Sequence, residues 1–475
     1  MSYIGRQLNL PASATELTAA KALSAGNAVL INSDGKATKV GSTLGSAITV
    51  ISSNVNFVES TFDSTNNKVV VACTDQGNSD VGKAFVVSVS GTTCTAGSVV
   101  QFSSGGADNI SITFDSSNGK VVICYRDKNN SNYGTAIVGT VSGTSISFGT
   151  AVVFESANTS DIGSCFDSSN NKVVIGYRDI GDSGKAKARV LTVSGTSVSD
   201  GGTTEFNSAS TTEISLAFDS SNNKVIIAYE DNGNSSYGTA IVGTVSGTSI
   251  SFGSEAVFES AEVRDVNIAF DTTNNKALIV YADVANSNYG TAVVATVSGT
   301  SISFGTPVVY TGTEVGYYPS ASFNPDTGKF GVFVYSTDAD FYEATISGTS
   351  VSFSGSTEID SDAPGGELTV VYDTNADVFV FAYPDGGNSN HATVAALDLG
   401  PTLTSENFIG FAEEDVTADG LATIQLGGSV NDKQTGLTAG QTYFVQTDGT
   451  ISTTADSPSV TAGTAVSATE ILVKG

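Results

Sequence analysis

The sequence predicts an all-β chain: a seven-bladed β-propeller of four-stranded blades, inserted into a small β-domain that both termini build together. Three observations carry that expectation. A β-rich unit of about 52 residues recurs seven times. Each unit holds four alternating runs parted by Gly, Asn, Asp and Ser. The first and last units are incomplete in complementary ways.

The units are located by an aromatic anchor at Phe62, Phe114, Phe166, Phe218, Phe270, Phe323 and Tyr372, spaced by 52 four times, then 53 and 49. In the second unit an alternating run, ISITFD (110–115), reaches the anchor. A polar turn, SSNGK, leads to VVICYRD (121–127). The loop KNNSNYG precedes TAIVGTVSG (135–143), and SISFGTAVVF (145–154) ends the unit. Val, Ile, Thr, Phe and Tyr fill the runs, as pleated half-buried surfaces prefer. Radial repetition of four-stranded sheets leaves only short, protected edges, which is how propellers manage unpaired strands. Coils of 20–30 residues would not give this period.

Residues 44–51 stand at the offset of a fourth strand but have no first three before them. The seventh unit has ELTVVYD, DVFVFAYPD and HATVAALDLG, and then the pattern stops. The early strand is therefore expected to complete the last blade. The propeller spans 44–400, with 1–43 and 401–475 forming the two parts of the small β-domain. GNAVLINSDG (26–35) and GQTYFVQTDG (440–449) each place Gly eight residues before Asp-Gly, a hairpin turn signal. A short helix is allowed at 13–23. Chain entry near 43 and exit near 400 put both termini on one propeller face. The face with the second-to-third loops is left free.

Composition narrows the function. Net charge is −28, from 20 basic and 48 acidic residues. No positive surface is available to displace counterions from nucleic acid, and anionic membranes are disfavoured for the same reason. No run of 18 apolar residues suggests a membrane span. Cys73, Cys94, Cys124 and Cys165 show no paired spacing and read as small strand hydrophobes.

Two acidic sets follow the period. Asp63, Asp115, Asp167, Asp219, Asp271 and Asp373, with Asn324 in the sixth unit, open turns that suit an Asx side chain bonding its own backbone. Asp75, Asp127, Asp179, Asp231, Asp283 and Asp385 open the loops of the free face. Their oxygen-rich loops offer weak calcium candidates at Asp127, Asn129, Asp231 and Asp283. The EF-hand pattern of Gly and distal Glu is missing, so turn capping is the simpler reading and no cofactor is assigned. Tyr133, Tyr237 and Tyr289 follow three of those loops. With the loop aspartates they form the candidate surface for ligand contact, although packing between blades is the plainer role. No catalytic residue is assigned. Arg126 and Arg178 share one repeat position, so with Arg6, Arg189 and Arg264 they do not suggest the arginine cluster of a propeller sialidase. His391, the lone His, reads as structural or exposed. A paired-carboxylate glycosidase is the enzymatic alternative.

The ends carry a resemblance. ENFIGFAEEDVTADGLATIQLGG, TGLTAGQTYFVQTDGTISTT and VTAGTAVSATEILVKG resemble a terminal module of virion structural proteins in marine and cyanobacterial tailed bacteriophages. AKALSAGNAVLINSDGKATKV resembles the start often paired with that ending, and MSYIGRQL is similar to tail-fibre openings. The resemblance implies a non-enzymatic virion protein assembled in host cytoplasm. In the first reading it is a tail-fibre or tail-tip appendage that presents the propeller to the host surface and docks through its terminal β-domain. The alternatives are a capsid decoration or tail-wall protein and, last, a polysaccharide-degrading enzyme. Expected partners are other virion proteins, a host surface glycan or protein, and further copies of the chain; nucleic acid and membrane insertion are not expected.

Overall fold

The structure is a computed structural model that describes residues 14–32, 35–316, 318–362, 364–401 and 403–474. MSYIGRQL, Arg6 and the turn residue Asp34 lie outside them. The chain divides into two units, Gly45–Ala396, and Met1–Leu44 together with Leu397–Gly475.

The larger unit repeats one antiparallel meander. In the third copy Val152–Asp167 pairs with Lys172–Asp179, which pairs with Lys185–Ser194, which pairs with Ser197–Asp200. Second strands such as Lys172–Asp179 are buried along nearly their whole length, and so are apolar without alternation. Short fourth strands such as Ser197–Asp200 alternate, with one buried side chain among exposed ones.

The joint between copies is a long strand that serves two sheets. The first part of Thr204–Asp219 pairs with the third strand of the third copy, and its second part pairs with Lys224–Asp231 of the fourth. The same arrangement joins the last copy to the first. His391, Ala392, Thr393 and Val394 pair with Asn54, Ile51, Thr49 and Ile48 of Ile48–Asp63. Inner strands also bond around the unit. The Ala321 N–H donates to Asn267 Oδ1 at 3.0 Å, the Val370 N–H to Ser320 Oγ at 3.1 Å, and the Ser60 and Thr369 hydroxyls meet at 3.0 Å.

Apolar cores lie between successive sheets. Val70, Ala72 and Val86 of the first copy pack with Ile112, Val121 and Ile123 of the second. Val69, Val71 and Phe85 pack on their other side with Val380, Ala392 and Val394 of the seventh. Phe333 and Phe341 of the sixth meet Phe379 and Phe381 of the seventh. A second device recurs at the outer side. The Phe154 ring meets the buried Tyr177 edge-on at 5.3 Å, and Phe258 meets Tyr281 at 5.2 Å. A Cβ on Gly134 or Gly238 would fall inside the Phe154 or Phe258 ring. That is why Gly follows Tyr in the recurrent YGTA.

The aspartates after the anchors cap their turns. Asp63 Oδ1 accepts the Thr65 and Asn66 N–H groups at 2.9 and 3.0 Å, and its Oδ2 accepts Asn66 Nδ2 at 2.8 Å. Asp115, Asp167, Asp219 and Asp271 repeat the set, and Asn324 accepts two backbone donors in the sixth copy.

The terminal unit holds two sheets. One has the order Ala14–Thr18, Leu421–Leu426, Phe408–Ala412, Ala28–Ile31, Ala37–Lys39. The other has the order Val430–Asn431, Ile471–Val473, Val460–Ala465, Thr442–Val445, Ile451–Ser452. Leu30, Val40, Phe411, Tyr443, Val445 and Ile471 share one core, so segments from both ends of the chain fold as one body. The helix allowed at 13–23 does not form. Ala14–Thr18 is a strand, in register with Leu421–Leu426 from Ala14↔Gln425 to Thr18↔Leu421. Pairing along that strand overrides the helix preference of an Ala-rich segment.

The seventh copy departs from the turn device at one position. Ala376 stands where Asn66 stands in the first copy, and Asp373 Oδ2 is buried with no hydrogen-bond partner. Burial raises the Asp373 pKa. Ala376→Asn restores the missing donor. It is expected to raise the urea unfolding midpoint by an amount worth about 1 kcal/mol at pH 7; an unchanged or lower midpoint counts against this account of the turn.

Candidate functional site

The aspartates that open the loops after the second strands are held by local hydrogen bonds. Asp127 Oδ1 accepts the Asn129 and Asn130 N–H groups at 3.1 and 3.2 Å. Asp179, Asp231, Asp283 and Asp385 cap short 3₁₀ turns in the same way. Asp75 accepts Ser53 Oγ at 2.6 Å and faces Lys83 at 3.5 Å. Among the described residues no group of three or more His, Cys, Asp or Glu is placed to hold a metal ion. Tyr133, Tyr237 and Tyr289 are half-buried at the first position of third strands, paired with Asn158, Glu262 and Glu314. His391 holds the equivalent place in the seventh copy. The described arginines each have a local acid. Arg126 makes a two-pronged contact with Asp108, both bonds 2.6 Å, while Arg178 lies 3.9 Å from Asp161. Arg264 holds Glu262 at 2.9 Å, and Arg189 reaches Glu155 at 3.3 Å. The four cysteines are free and buried, and burial pushes the Cys73 thiol up to about 12 and Cys94 to about 11.

The inner strands of all seven copies line a cavity of about 240 Å³. One position in each copy concentrates the variation there. Five residues before the anchor stand Phe57, Asn109, Asp161, Glu213, Asp265, Tyr318 and Glu367. Phe57, Asn109, Asp161, Glu213, Asp265 and Tyr318 all hold a left-handed backbone, with φ between 48° and 55°. Side chains other than Gly meet their own carbonyl there, at roughly 1–2 kcal/mol per residue. A bulge accompanies it, with pairing that skips between Ser160 and Gly163, between Thr212 and Ser215, and between Arg264 and Asn267. Bulges re-aim side chains, and strained non-Gly residues gather where function holds them.

The position is also wired from copy to copy. Asn109 Oδ1 accepts the Asp161 N–H at 2.7 Å, and Asp161 Oδ1 accepts the Glu213 N–H at 3.1 Å. The Glu213 carboxylate accepts from the Asp265 backbone, and Asp265 accepts from that of Tyr318. Asn56 Oδ1 takes the Glu367 N–H at 3.2 Å. These residues adjoin the ends of the second strands, so they sit at the same end of the sheets as the loop aspartates.

Electrostatically the site is a ring of acids short of cations. Burial holds Glu213 and Glu367 well above the ordinary carboxylate range, and neighbouring acids add to it. Burial lifts Glu59, which lies two residues beyond Phe57, to about 8. It lifts Asp265 to about 6, against the opposing Tyr318 N–H and Arg264. A carboxyl that keeps its proton near neutral pH donates as well as accepts, so the ring offers both kinds of hydrogen bond to a bound polar molecule.

Sequence reading missed this ring. It weighed the residues that repeat in every copy, whereas the ring occupies a position where the repeat changes at almost every step. Tabulating variation against distance from the anchor would have exposed it.

Comparison with known proteins adds a fold. No family model and no curated protein matches the chain. Among solved structures it is similar to the BP39L lectin from Burkholderia pseudomallei, with a TM-score of 0.55 at 12% identity. The match covers 75% of this chain and 97% of that one. That is about the share of the chain that the repeat unit makes up.

The pKa shifts fix a pH dependence. A carboxyl whose folded pKa is raised stabilises the fold fully below its unfolded pKa, near 4.5, and loses that contribution as pH rises through the folded value. Stability is therefore expected to fall as pH rises above about 4.5 and through about 8, where Glu59 loses its proton, with Glu213 and Glu367 adding in the same direction. Glu59→Gln should flatten the fall and gain roughly 2 kcal/mol at pH 9, allowing for water in the cavity, and Glu367→Gln should flatten it in the same direction. Urea midpoints at pH 5, 7 and 9 test this; equal losses in wild type and both variants would reject it.

Proposed function

We propose that the repeat unit is a seven-bladed β-propeller and that the chain is a non-enzymatic attachment protein of a tailed-phage virion. Its propeller contacts a carbohydrate on the host surface, and its terminal unit joins it to the particle. The observation that carries the reading is the contrast between a uniform scaffold and one variable ring. Second strands, turns and the YGTA segments are near-copies. The position five residues before the anchor, at or beside the cavity, runs through Phe, Asn, Asp, Glu, Asp, Tyr and Glu. Carboxylate, amide and phenol groups in one ring suit a polyhydroxylated ligand, because sugar hydroxyls need donors and acceptors together.

The lectin named among similar structures supports a binding role for the fold, and the resemblance of both ends to phage virion proteins supports the location. The acidic charge suits solubility and repulsion between copies on a particle. Several copies would turn weak single contacts into firm adsorption. The non-enzymatic part of the proposal draws on the described arginines, each of which has an acid beside it. A second reading, capsid decoration, is favoured by one observation: YGTAIVGTVSGTSISFG occurs unchanged at 133–149 and 237–253, as a spacer would permit.

Two measurements test the proposal. Antibody-labelled electron microscopy of intact particles is expected to mark the tail periphery; label over the capsid would transfer support to decoration. Purified chain is expected to adsorb to susceptible cells and to compete with the phage. Adsorption that periodate oxidation of surface glycans leaves intact would remove the carbohydrate part, and no adsorption with or without calcium would remove the attachment role.

A further inference from the structure

The sixth copy breaks the repeat in a way that opens a cleft. In the first, third, fourth, fifth and seventh copies a 3₁₀ turn follows the second strand, at Gln76–Asn78, Ile180–Asp182, Asn232–Asn234, Val284–Asn286 and Gly386–Asn388. This turn lies over the entering part of its own inner strand. Ser53 Oγ bonds Asp75 at its edge, and a Cβ on Gly181 would come within 2.9 Å of Ala157. In the second copy the Asn129 side chain fills the same place against Gly105. The sixth copy has no such turn. Its third strand starts at Ala339, 16 residues after the anchor, where the other copies take 19. The loop is a tight turn in which the Ser336 N–H donates to the Asp338 carbonyl at 3.0 Å. Its inner strand is also interrupted, ending at Glu314 and resuming at Ser320. Thr313 and Glu314 stay exposed.

The resulting cleft, between the fifth and sixth copies, has a volume of about 620 Å³, within the range of small-molecule sites. Its chemistry is mixed. Tyr335 packs on Gly316, where any Cβ would fall inside the ring, and accepts the Gly316 N–H on its carbonyl at 2.6 Å. Asn288 donates its Nδ2 to Glu314 Oε1 at 2.8 Å, while its Oδ1 is buried with no partner. Arg264 is 57% exposed and can offer further donors.

We infer that this cleft is a saccharide subsite for a neutral or amine-bearing pyranose, an inference that rests on the carbohydrate reading above. Tyr335 supplies an aromatic face for the C–H side of the ring. Arg264 and Asp265 bracket the ring hydroxyls. Arg264 is the one cation among the described residues of the cleft, against the carboxylates of Asp265 and Glu314. That balance selects against a sugar carboxylate.

The test is calorimetric titration of the full chain, with ligand-observed NMR, using methyl glycosides of glucose, galactose, mannose and glucosamine, and methyl glucuronide as the acidic probe. At least one neutral or amino glycoside is expected to bind, and glucuronide to bind at least fivefold more weakly. Thr313→Trp fills the cleft from an exposed position, and Tyr335→Ala removes the ring; each is expected to weaken binding at least tenfold. Thermal melts check folding, and if Tyr335→Ala is unstable the Trp variant decides. Full affinity in Thr313→Trp would overturn this subsite while leaving the carbohydrate reading intact. Preference for glucuronide would overturn the charge argument and with it the inference. Binding of none of these probes by wild type would overturn the subsite; the cell-adsorption result then shows separately whether the broader reading falls too.

Discussion

The repeat unit depends on strands that belong to two sheets at once. In Val152–Asp167 the first residues are held by the third strand of one copy and the last by the second strand of the next. In the copies joined this way no sheet is complete without its neighbour's strand, whereas the sixth copy holds a four-stranded sheet of its own, from Ser320–Asn324 to Ser350–Asp360. The sharing explains why the spacing is kept at 52 through most of the unit: an extra residue in the long strand would reverse which side chains face the core. Where the spacing does change, at the sixth copy, the strand is interrupted between Glu314 and Ser320, and irregular backbone absorbs the difference.

The same sharing explains where strain collects. Between its two pairings the long strand must pass from one sheet to the next. The turn is made at the bulge, where six residues other than Gly take a left-handed backbone. The bond from Asp161 Oδ1 to the Glu213 N–H shows how the position is held: the side chain of one copy satisfies a donor of the next. A carboxylate or amide suits that task. Phe57 and Tyr318 cannot perform it in the same way, which marks them as changes made for another reason.

The sequence made the architecture legible because its signals are local and repeated. The anchor, the Asx turn, the four runs and the orphan strand at 44–51 correspond to the strands and pairings of the structure. The hairpins at each end were also legible, in Ala28–Ile31 with Ala37–Lys39 and in Thr442–Val445 with Ile451–Ser452. The strand Ala14–Thr18 was not, because its state is decided by a partner some 400 residues away at Leu421–Leu426. The acid ring was not legible either. Glu59, Asp161, Glu213, Asp265 and Glu367 are remote in sequence, and nothing near any one of them signals that the others share its surroundings. The raised pKa values of Glu59, Glu213, Asp265 and Glu367 arise from burial, and for the last three from neighbouring acids as well, both properties of the assembled unit. The loop aspartates were conspicuous for the opposite reason: capping their own turns needs only near neighbours.

This contrast bears on how a binding site arises in a repeat protein. A site built by adding residues would appear as an insertion. The cleft at the sixth copy appears as a loss, since three residues fewer in one loop remove the cover that neighbouring copies keep. The sixth and seventh copies are joined by Phe333, Phe341, Phe379 and Phe381, larger side chains than the Val and Ala of most other junctions. In the other junctions a loop carbonyl accepts a neighbouring N–H, as Asn132 does from Thr159 at 3.0 Å. Between the sixth and seventh copies aromatic packing takes over part of that role. These aromatic contacts lie on the seventh-copy side of the sixth copy, while the cleft lies on its fifth-copy side, so the packing that anchors the sixth copy is kept apart from the surface that is opened.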